Sequence, residues 1–281
     1  MLGECEMNAI EFRKSVRNYQ PQPLTLEDVE KIHSYINNRE NLIGPHGNEI
    51  KLKVILDSDL NKNEKIGTYG VIRNAQGYIL GSCQDTPEAI FDYAYVLEGL
   101  VLILTSNDIG TCWIAGTFDR KEMLQIYPTS ADEIIPAITP IGYAMDGMHF
   151  RERMMRQFIK ADHRKQPEQL FFYGDLKTPL NDRAKMYIKA LNYVRLAPSA
   201  KNNQPWRIVV SSDFSKVHFY ILKSLGDRAF ACAPEYIDIG IAYRHFLEGI
   251  NEEGLQGNLV AEDPKMKLSV DMEYIATWVK K

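Results

Sequence analysis

At 281 residues the chain has room for about two domains or repeats of ~150 residues each, and 45% apolar with 25% charged residues can both bury a core and cover it. A formal net charge of −4 excludes a broad basic face for nucleic acid or an anionic membrane and leaves room only for a local basic pocket. The four cysteines (Cys5, Cys83, Cys112 and Cys232) form no Cys-x-x-Cys pair. That argues against a zinc site or a disulfide framework and makes a reducing cytoplasm the expected compartment.

The start of the chain carries Glu4, Glu6 and Glu11 and no apolar run, so it does not read as a signal peptide. Met7 to Lys14 reads as a short helix leading into a basic run. Pro21 and Pro23 then enforce an extended connection, because proline fixes its own φ and disfavours helix in the residue before it. Thr25 followed by Asp28 marks a helix start, with Leu26, Val29, Ile32 and Ile36 as its apolar stripe. Gly44, Pro45 and Gly47 break that pattern, and the alternation of Ile50, Leu52, Val54 and Leu56 with their neighbours predicts a strand. Tyr69 to Leu80, interrupted by Gly70 and Gly77, is poorly patterned. Pro87 opens a long helix running to about Asn107. Its most apolar part, Phe91 to Leu104, contains Asp92 and Glu98 and falls short of the ~20 residues of a membrane span, so it reads as buried in protein.

Gly110 to Gly116 reads as a turn and short strand, and Ile134 to Tyr143 as extended chain interrupted by Pro136 and Pro140. After a charged stretch, Arg151 to Lys165, the pattern begins again. A helix is expected over Asp182 to Arg195, strands over Arg207 to Ser211 and Val217 to Leu222, and a second long helix over Tyr236 to Glu253. Strands over Gly257 to Val260 and Val270 to Val279 close the chain. Asn48–Ile55 can be laid over Asn203–Val210 at an offset of 155, and Leu97-Glu98-Gly99 over Leu247-Glu248-Gly249 at an offset of 150. Offsets this close are what a duplication with a small deletion leaves. Such a chain could form alone an assembly that others build from two copies. The expected division is a first pseudo-repeat over 1–165 and a second over 166–281.

Two runs carry candidate chemistry. Arg13-Lys14-Ser15-Val16-Arg17, followed by Tyr19, places four donors in five residues, and arginine presents a fork that grips a phosphate. On its own such a run is more often a solvated face. Ala197-Pro198-Ser199-Ala200-Lys201-Asn202-Asn203-Gln204-Pro205-Trp206 ends a helix and leaves polar groups free to bond a planar heterocycle, Asn202 as both donor and acceptor.

Together these runs resemble the nitroreductase family of flavoproteins. The first resembles its Arg-Arg-Ser-x-Arg-x-aromatic pattern at Arg13, Ser15, Arg17 and Tyr19. The second resembles its Pro-Ser-x-x-Asn-x-Gln-Pro-Trp signature at Pro198, Ser199, Asn202, Gln204, Pro205 and Trp206. Ile109-Gly110-Thr111-Cys112-Trp113 is similar to the family's Gly-rich turn, Pro140-Ile141-Gly142-Tyr143 to a later strand, and Arg164-Lys165-Gln166-Pro167 to its closing basic segment. One departure is informative. Where the family has its second signature soon after the first, this chain has Gly44-Pro45-His46-Gly47-Asn48-Glu49, a worn copy without the Ser and Trp. The intact copy lies in the second half, whose own start lacks the Arg-x-Ser-x-Arg run. The resemblance is therefore to a fused, duplicated group in which one chain imitates the family dimer, with one complete flavin site.

The resemblance implies an α+β fold: a central, mainly antiparallel sheet flanked by helices, with the two long helices packed at a pseudo-twofold axis. It implies FMN held at the phosphate by Arg13, Ser15, Arg164 and Lys165, with Arg17 at the pyrimidine edge. Pro198, Ser199 and Asn202 would line the ring and ribityl chain, a backbone N–H of Gly110 or Thr111 would face the flavin N5, and Lys14 and Gln204 belong to the same cofactor-binding set. The implied reaction takes hydride from NAD(P)H and hands it to a small-molecule oxidant such as a nitroaromatic or quinone, in a monomer acting as a pseudo-dimer. Rival readings are another flavin task, such as dehalogenation or flavin breakdown with Tyr69 to Leu80 as a lid, or a flavin-binding protein without turnover. Cys112 and the scattered His33, His46 and His245 read as structural, and neither Gly-x-Gly-x-x-Gly nor a P-loop is present.

Overall fold

The computed structural model describes residues 8–60, 66–145, 163–224 and 231–281. Met7 and most of the charged stretch before His163 therefore lie outside the described residues. The chain divides into two compact units, the first from residues 8–145 with 231–232, the second from 163–224 with 233–281. Arg164 and Lys165, read from sequence as the end of the first repeat, fold with the second unit.

In the first unit, helix α1 (Ala9–Phe12) is capped by Asn8, whose side chain accepts from the Ile10 N–H. Helix α2 (Leu26–Asn37) starts as expected, with Thr25 Oγ1 accepting from the Asp28 N–H. Its buried face matches the expected stripe only in part, with Ile32 fully buried and Val29 and Ile36 half-buried. Leu26 is 84% exposed, and Asp28, Ile32 and Tyr35 turn inward, because the Tyr35 hydroxyl reaches the Val96 carbonyl at 2.8 Å while Asp28 accepts from Thr25 and Tyr143. Strand β1 (Lys51–Leu56) follows, then β2 (Gly77–Gln84), helix α3 (Pro87–Ser106) and β3 (Ile109–Thr111). Helix α4 (Arg120–Ile126), capped by Asp119, has no counterpart in the sequence reading; β4 (Glu133–Ile134) and β5 (Thr139–Tyr143) complete the unit.

The sheet order is β1-β2-β5-β3, antiparallel throughout, with β4 on the far end of β2. Strand β2 is central, yet half of it lies in the poorly patterned stretch. It is buried on both faces, so it has no alternation to read. Its Gly81 also packs so tightly on β1 that a Cβ there would lie 2.0 Å from the Lys51 carbonyl oxygen. Helix α3 is long and apolar enough to cross a membrane by length and composition, but most of it is buried within the protein, as expected of a core helix. A hydrophobic cluster around Tyr19, Leu80, Phe118, Met123 and Ile138 forms a core of this unit. Strand β1 ends the sheet, and its Lys51 and Lys53 are exposed.

The second unit begins with β6 (Phe171–Tyr173). The helix expected over Asp182 to Arg195 is instead a 3-10 stretch, Asn181–Tyr187, followed by α5 (Ile188–Leu196). Non-helical dihedrals at Asp182 and Ala184 delay the α-helix, as Leu180, Ala184 and Tyr187 all turn into the core and the Tyr187 hydroxyl donates to the Phe214 carbonyl at 2.6 Å. Then come β7 (Trp206–Val210), β8 (Lys216–Leu222), α6 (Pro234–Glu252), β9 (Gly257–Val260) and β10 (Met272–Lys280). The order is β6-β7-β8-β10-β9, with β6 parallel to β7 and the other pairs antiparallel. Its core is aromatic: Phe246 lies edge-on to Phe219 and Trp278 at centroid distances of 5.2 and 5.5 Å. Helix α6 approaches α5 at Gly249, where a Cβ would sit 2.4 Å from the Ala190 Cα.

Apart from α1, α4 and β4 in the first unit and β6 in the second, the two units share one plan. Taking β7, β8, β10 and β9 for β1, β2, β5 and β3, with α5 for α2 and α6 for α3, reproduces the strand order, the pairing sense and the chain order of these elements.

Candidate functional site

The Arg13–Arg17 run is extended chain stitched to strand β3. Ser15 bridges Thr111 in parallel, and the Val16 N–H donates to the Thr111 carbonyl at 2.8 Å. Further along, Arg17 and Tyr19 exchange backbone bonds with Arg73, both 3.0 Å, so the stretch around Tyr69 is tied to the motif rather than standing off as a separate lid. Tyr19 is fully buried, and its hydroxyl lies 2.7 Å from the Val16 carbonyl and 3.1 Å from that of Pro140.

Extended chain alternates its side chains, and here that splits the motif. Lys14 and Val16 line a cavity of ≈ 590 Å³ together with Gln20, Gly110, Thr111 and Tyr143. Arg13, Ser15 and Arg17 fall on the other face of the segment, so Lys14 does not join them as the sequence suggested. Among the described residues, Arg17 Nη1 is a buried donor with no hydrogen-bond partner. Gly110 and Thr111 are not in a turn. They are strand residues flanked by β5 on one edge and the Ser15 segment on the other. Glycine is required at 110 because a Cβ would meet the Val16 side chain at 2.9 Å. Trp113, at the end of this motif, donates from Nε1 to the fully buried Glu98 of α3 at 2.6 Å.

In the second unit Pro198 follows the end of α5, and the chain turns tightly from Ser199 to Gln204. The Asn202 N–H closes the turn on the Ser199 carbonyl at 2.9 Å, and the Gln204 N–H reaches Ser199 Oγ at 2.9 Å. Lys201, Asn202 and Gln204 all have φ near +50° (52°, 57° and 49°), a conformation costly for residues other than glycine and typical of ligand clamps. The structure brings Arg164 and Lys165 onto this turn. Arg164 Nη1 donates to Asn202 Oδ1 at 2.9 Å, and the Lys165 N–H donates to Gln204 Oε1 at 2.8 Å. Asn202 and Gln204 in turn donate to the His163 carbonyl at 2.7 and 3.2 Å. Both ends of the Asn202 amide are thus engaged within the unit, where sequence had it bonding a ring edge. Burial, and then the nearby Arg207, hold the Lys165 ammonium below its usual pKa.

The worn copy folds into the same turn. The Gly47 N–H donates to the Gly44 carbonyl at 2.9 Å, the equivalent of the Asn202–Ser199 bond at the offset of 155, and Gly47 has φ +89° where Asn202 has +57°. Its lost serine has a steric cause: a Cβ on Gly44 would lie 2.2 Å from the Asp92 Cβ. Asp92, fully buried in α3, accepts from the His46 and Asn48 backbone N–H groups, each at 3.1 Å, from Asn48 Nδ2 at 2.9 Å, and lies 3.0 Å from His46 Nδ1.

In the second unit Asp238 of α6 has the same office and accepts from the Ala200 N–H at 2.9 Å. Sequence reasoning missed both carboxylates. The available signal was an aspartate in the second turn of each long helix, after Pro87-Glu88-Ala89-Ile90 and Pro234-Glu235-Tyr236-Ile237. Asp238 is pushed well above the usual carboxylate range by burial, with Glu235 adding to the shift. Cys112, directly after β3, is buried in the hydrophobic cluster of the first unit, in keeping with a packing role, and His245 lies 3.0 Å from the Tyr193 carbonyl.

Comparison with known proteins follows the same lines. A family model described as "Putative TM nitroreductase" matches residues 6–250. A solved "putative nitroreductase" from Thermotoga maritima MSB8 superposes over 99% of this chain and 96% of its own, with TM-score 0.60 and 19% identity. Shorter matches include a nitroreductase family protein from Clostridium novyi NT (19% identity, 51% of this chain, 87% of that one, TM-score 0.40). Another is a nitroreductase with bound FMN from Bacteroides fragilis NCTC 9343 (18%, 53% and 92%, TM-score 0.40). No curated protein matches. With the family model covering most of its length and the fold matching end to end, the chain belongs to the nitroreductase family.

Proposed function

We propose that the chain is an FMN-dependent oxidoreductase that takes hydride from NAD(P)H and delivers it to a small oxidant such as a nitroaromatic or a quinone. The observation that carries this reading is the buried Arg17 Nη1 without a hydrogen-bond partner among the described residues, in the motif by which the chain resembles family members. A buried donor left unmade costs about 1–3 kcal/mol, so an anionic or carbonyl-rich group belongs against it. The other donors of the two motifs suit an FMN: Arg13 and Ser15 belong to the Arg17 segment of the first unit, and in the second unit Arg164 and Lys165 stand on the Ser199 turn.

When bound, FMN supplies the hydride chemistry, and the protein supplies position, charge and exclusion of water. Arg13, Ser15, Arg164 and Lys165 hold the phosphate. Arg17 places a fixed positive charge by the pyrimidine edge and so stabilises negative charge that builds there. Pro198 and Ser199 face the ring and ribityl chain, while Asn202 and Gln204 act by holding Arg164 and Lys165. Gly110 and Thr111 act through the backbone that carries the Arg13–Arg17 segment, and Lys14 contributes from the cavity behind it. The shared plan of the two units supports an internal duplication, and our reading adds one complete site per chain in a cytoplasmic monomer.

The test is the visible spectrum of the protein after FMN addition and desalting. About one flavin per chain is expected, since the worn turn has traded its serine for Asp92 contact. No retained flavin would overturn the cofactor assignment, and two equivalents would overturn the single site. Arg17→Ala should slow flavin reduction by NAD(P)H by roughly 100-fold, about 2.7 kcal/mol of lost charge stabilisation, with a much smaller loss of FMN affinity. Stopped-flow reduction and fluorescence titration separate the two, and equal losses would contradict the role.

A further inference from the structure

The Ser199–Gln204 turn holds three left-handed residues other than glycine within four positions. Such a run persists only where its surroundings impose it. His163 and Arg164 grip the turn from one side through their bonds with Gln204 and Asn202 described above. On the helix side the Ala200 N–H donates to Asp238 Oδ1, at 2.9 Å, on a residue that is only 4% exposed. A carboxyl group sunk in an apolar helix costs more than a hydrophobic residue of the same size, so its retention needs a return. The first unit repeats the device, with buried Asp92 of α3 taking the N–H groups of the equivalent turn even though that turn has lost its serine and tryptophan.

We propose that Asp238 is a positioning residue: by holding the Ala200 N–H it fixes the turn that sets Asn202 against Arg164, and so aims that guanidinium at the phosphate of a bound flavin. The last step rests on the FMN reading above, whereas the pinning of the turn does not. Burial raises the pKa of the Asp238 carboxyl, and the contact it makes here needs only one oxygen that accepts the Ala200 N–H. Asparagine therefore reproduces its function, and leucine keeps the volume but removes the acceptor.

Two measurements on the full chain test this. The first is amide hydrogen exchange in ligand-free protein over residues 197–205. Exchange there should rise about ten-fold in Asp238→Leu, the equivalent of one lost hydrogen bond, and remain at the wild-type level in Asp238→Asn. Asp238→Ala replaces the leucine variant if the latter does not fold. The second is the ratio of FMN to riboflavin affinity, which isolates the phosphate. It should fall about ten-fold in Asp238→Leu and recover in Asp238→Asn, as expected if a charge-assisted phosphate contact is lost.

A residue that merely fills the core would lower the melting temperature of the leucine variant and leave both readouts at wild-type values, and that result overturns the proposal. If wild type binds neither flavin, the FMN reading fails, and the exchange data alone decide whether Asp238 pins the turn.

Discussion

Position 44 shows how one side chain decides the fate of a motif. The backbone turn survives in both units at the same offset, but Asp92 stands where a serine at 44 would put its Cβ, 2.2 Å away. Gly44→Ser should therefore destabilise the fold by about 2–3 kcal/mol, the usual range for overpacking. Asp92→Ala leaves the His46 and Asn48 donors unsatisfied and is costly alone. In the double variant the clash is gone, so the two costs should fall well short of adding. Urea titration of the four proteins gives the coupling energy, and simple additivity would mean that Asp92 does not exclude the serine. The residues of the two motifs were legible in the sequence, but not their partners. Nothing in a single sequence says that Asn202 spends its amide on Arg164 and His163, because those bonds span 38 and 39 positions. The parting of Lys14 from Arg13, Ser15 and Arg17 follows from the two-residue period of extended chain, which a run adjoining a short helix does not announce.

At the level of elements, most long helices and strands were recovered, the buried α3 and β8 among them, whereas β2, the half-exposed α4 and the 3-10 stretch before α5 were not. Strand β2 has burial on both sides and glycines packed on its neighbour's carbonyls, so neither alternation nor strand composition marks it. The helix before α5 looks continuous from its pattern, but burial of Leu180, Ala184 and Tyr187 tightens it into a 3-10 turn first. Strands β8 and β10 carry a buried polar link of the kind that makes a sheet sensitive to acid. His218 Nδ1 lies 2.8 Å from Thr277 Oγ1, which also takes part in bonds with Tyr274 and the Glu262 carbonyl. Burial lowers the pKa of His218, Lys216 lowers it further, and Glu262, Asp263 and Asp213 oppose the shift. The unfolded chain therefore binds this proton more readily than the folded one. The stability His218 contributes is present above the ordinary histidine pKa of 6.5 and is lost as pH falls through the lower folded value. His218→Asn should flatten the acid limb of a melting-temperature profile below that pH while leaving alkaline stability nearly unchanged. An unaltered acid limb would place the sensitivity elsewhere.

For the whole molecule, the sequence reading rested on two short offsets, and the structure extends them to four strands of each sheet, with the β1-β2-β5-β3 pairs mirrored in β7-β8-β10-β9. The β2–β4 pair has no equivalent in the second sheet, and β6, the short parallel strand on the outer side of β7, has no counterpart beside β1 among the described residues. That asymmetry has a colloidal consequence. A terminal strand offers its unpaired N–H and C=O groups to any other chain that arrives in extended form, and natural sheets blunt such a rim with lysine. Lys51 and Lys53, both exposed on β1, meet that description. Replacing both with valine removes two like charges from the rim and lengthens an apolar run next to Val54 and Ile55, which are already buried. The doubly substituted protein should keep its melting temperature within about 1 °C, since solvated surface changes rarely exceed ~0.5 kcal/mol. It should nevertheless scatter light and lose monomer on storage at concentrations where the parent stays clear. A clear solution would mean that β1 is already shielded, and that the rim left by the missing strand is no hazard to the protein's solubility.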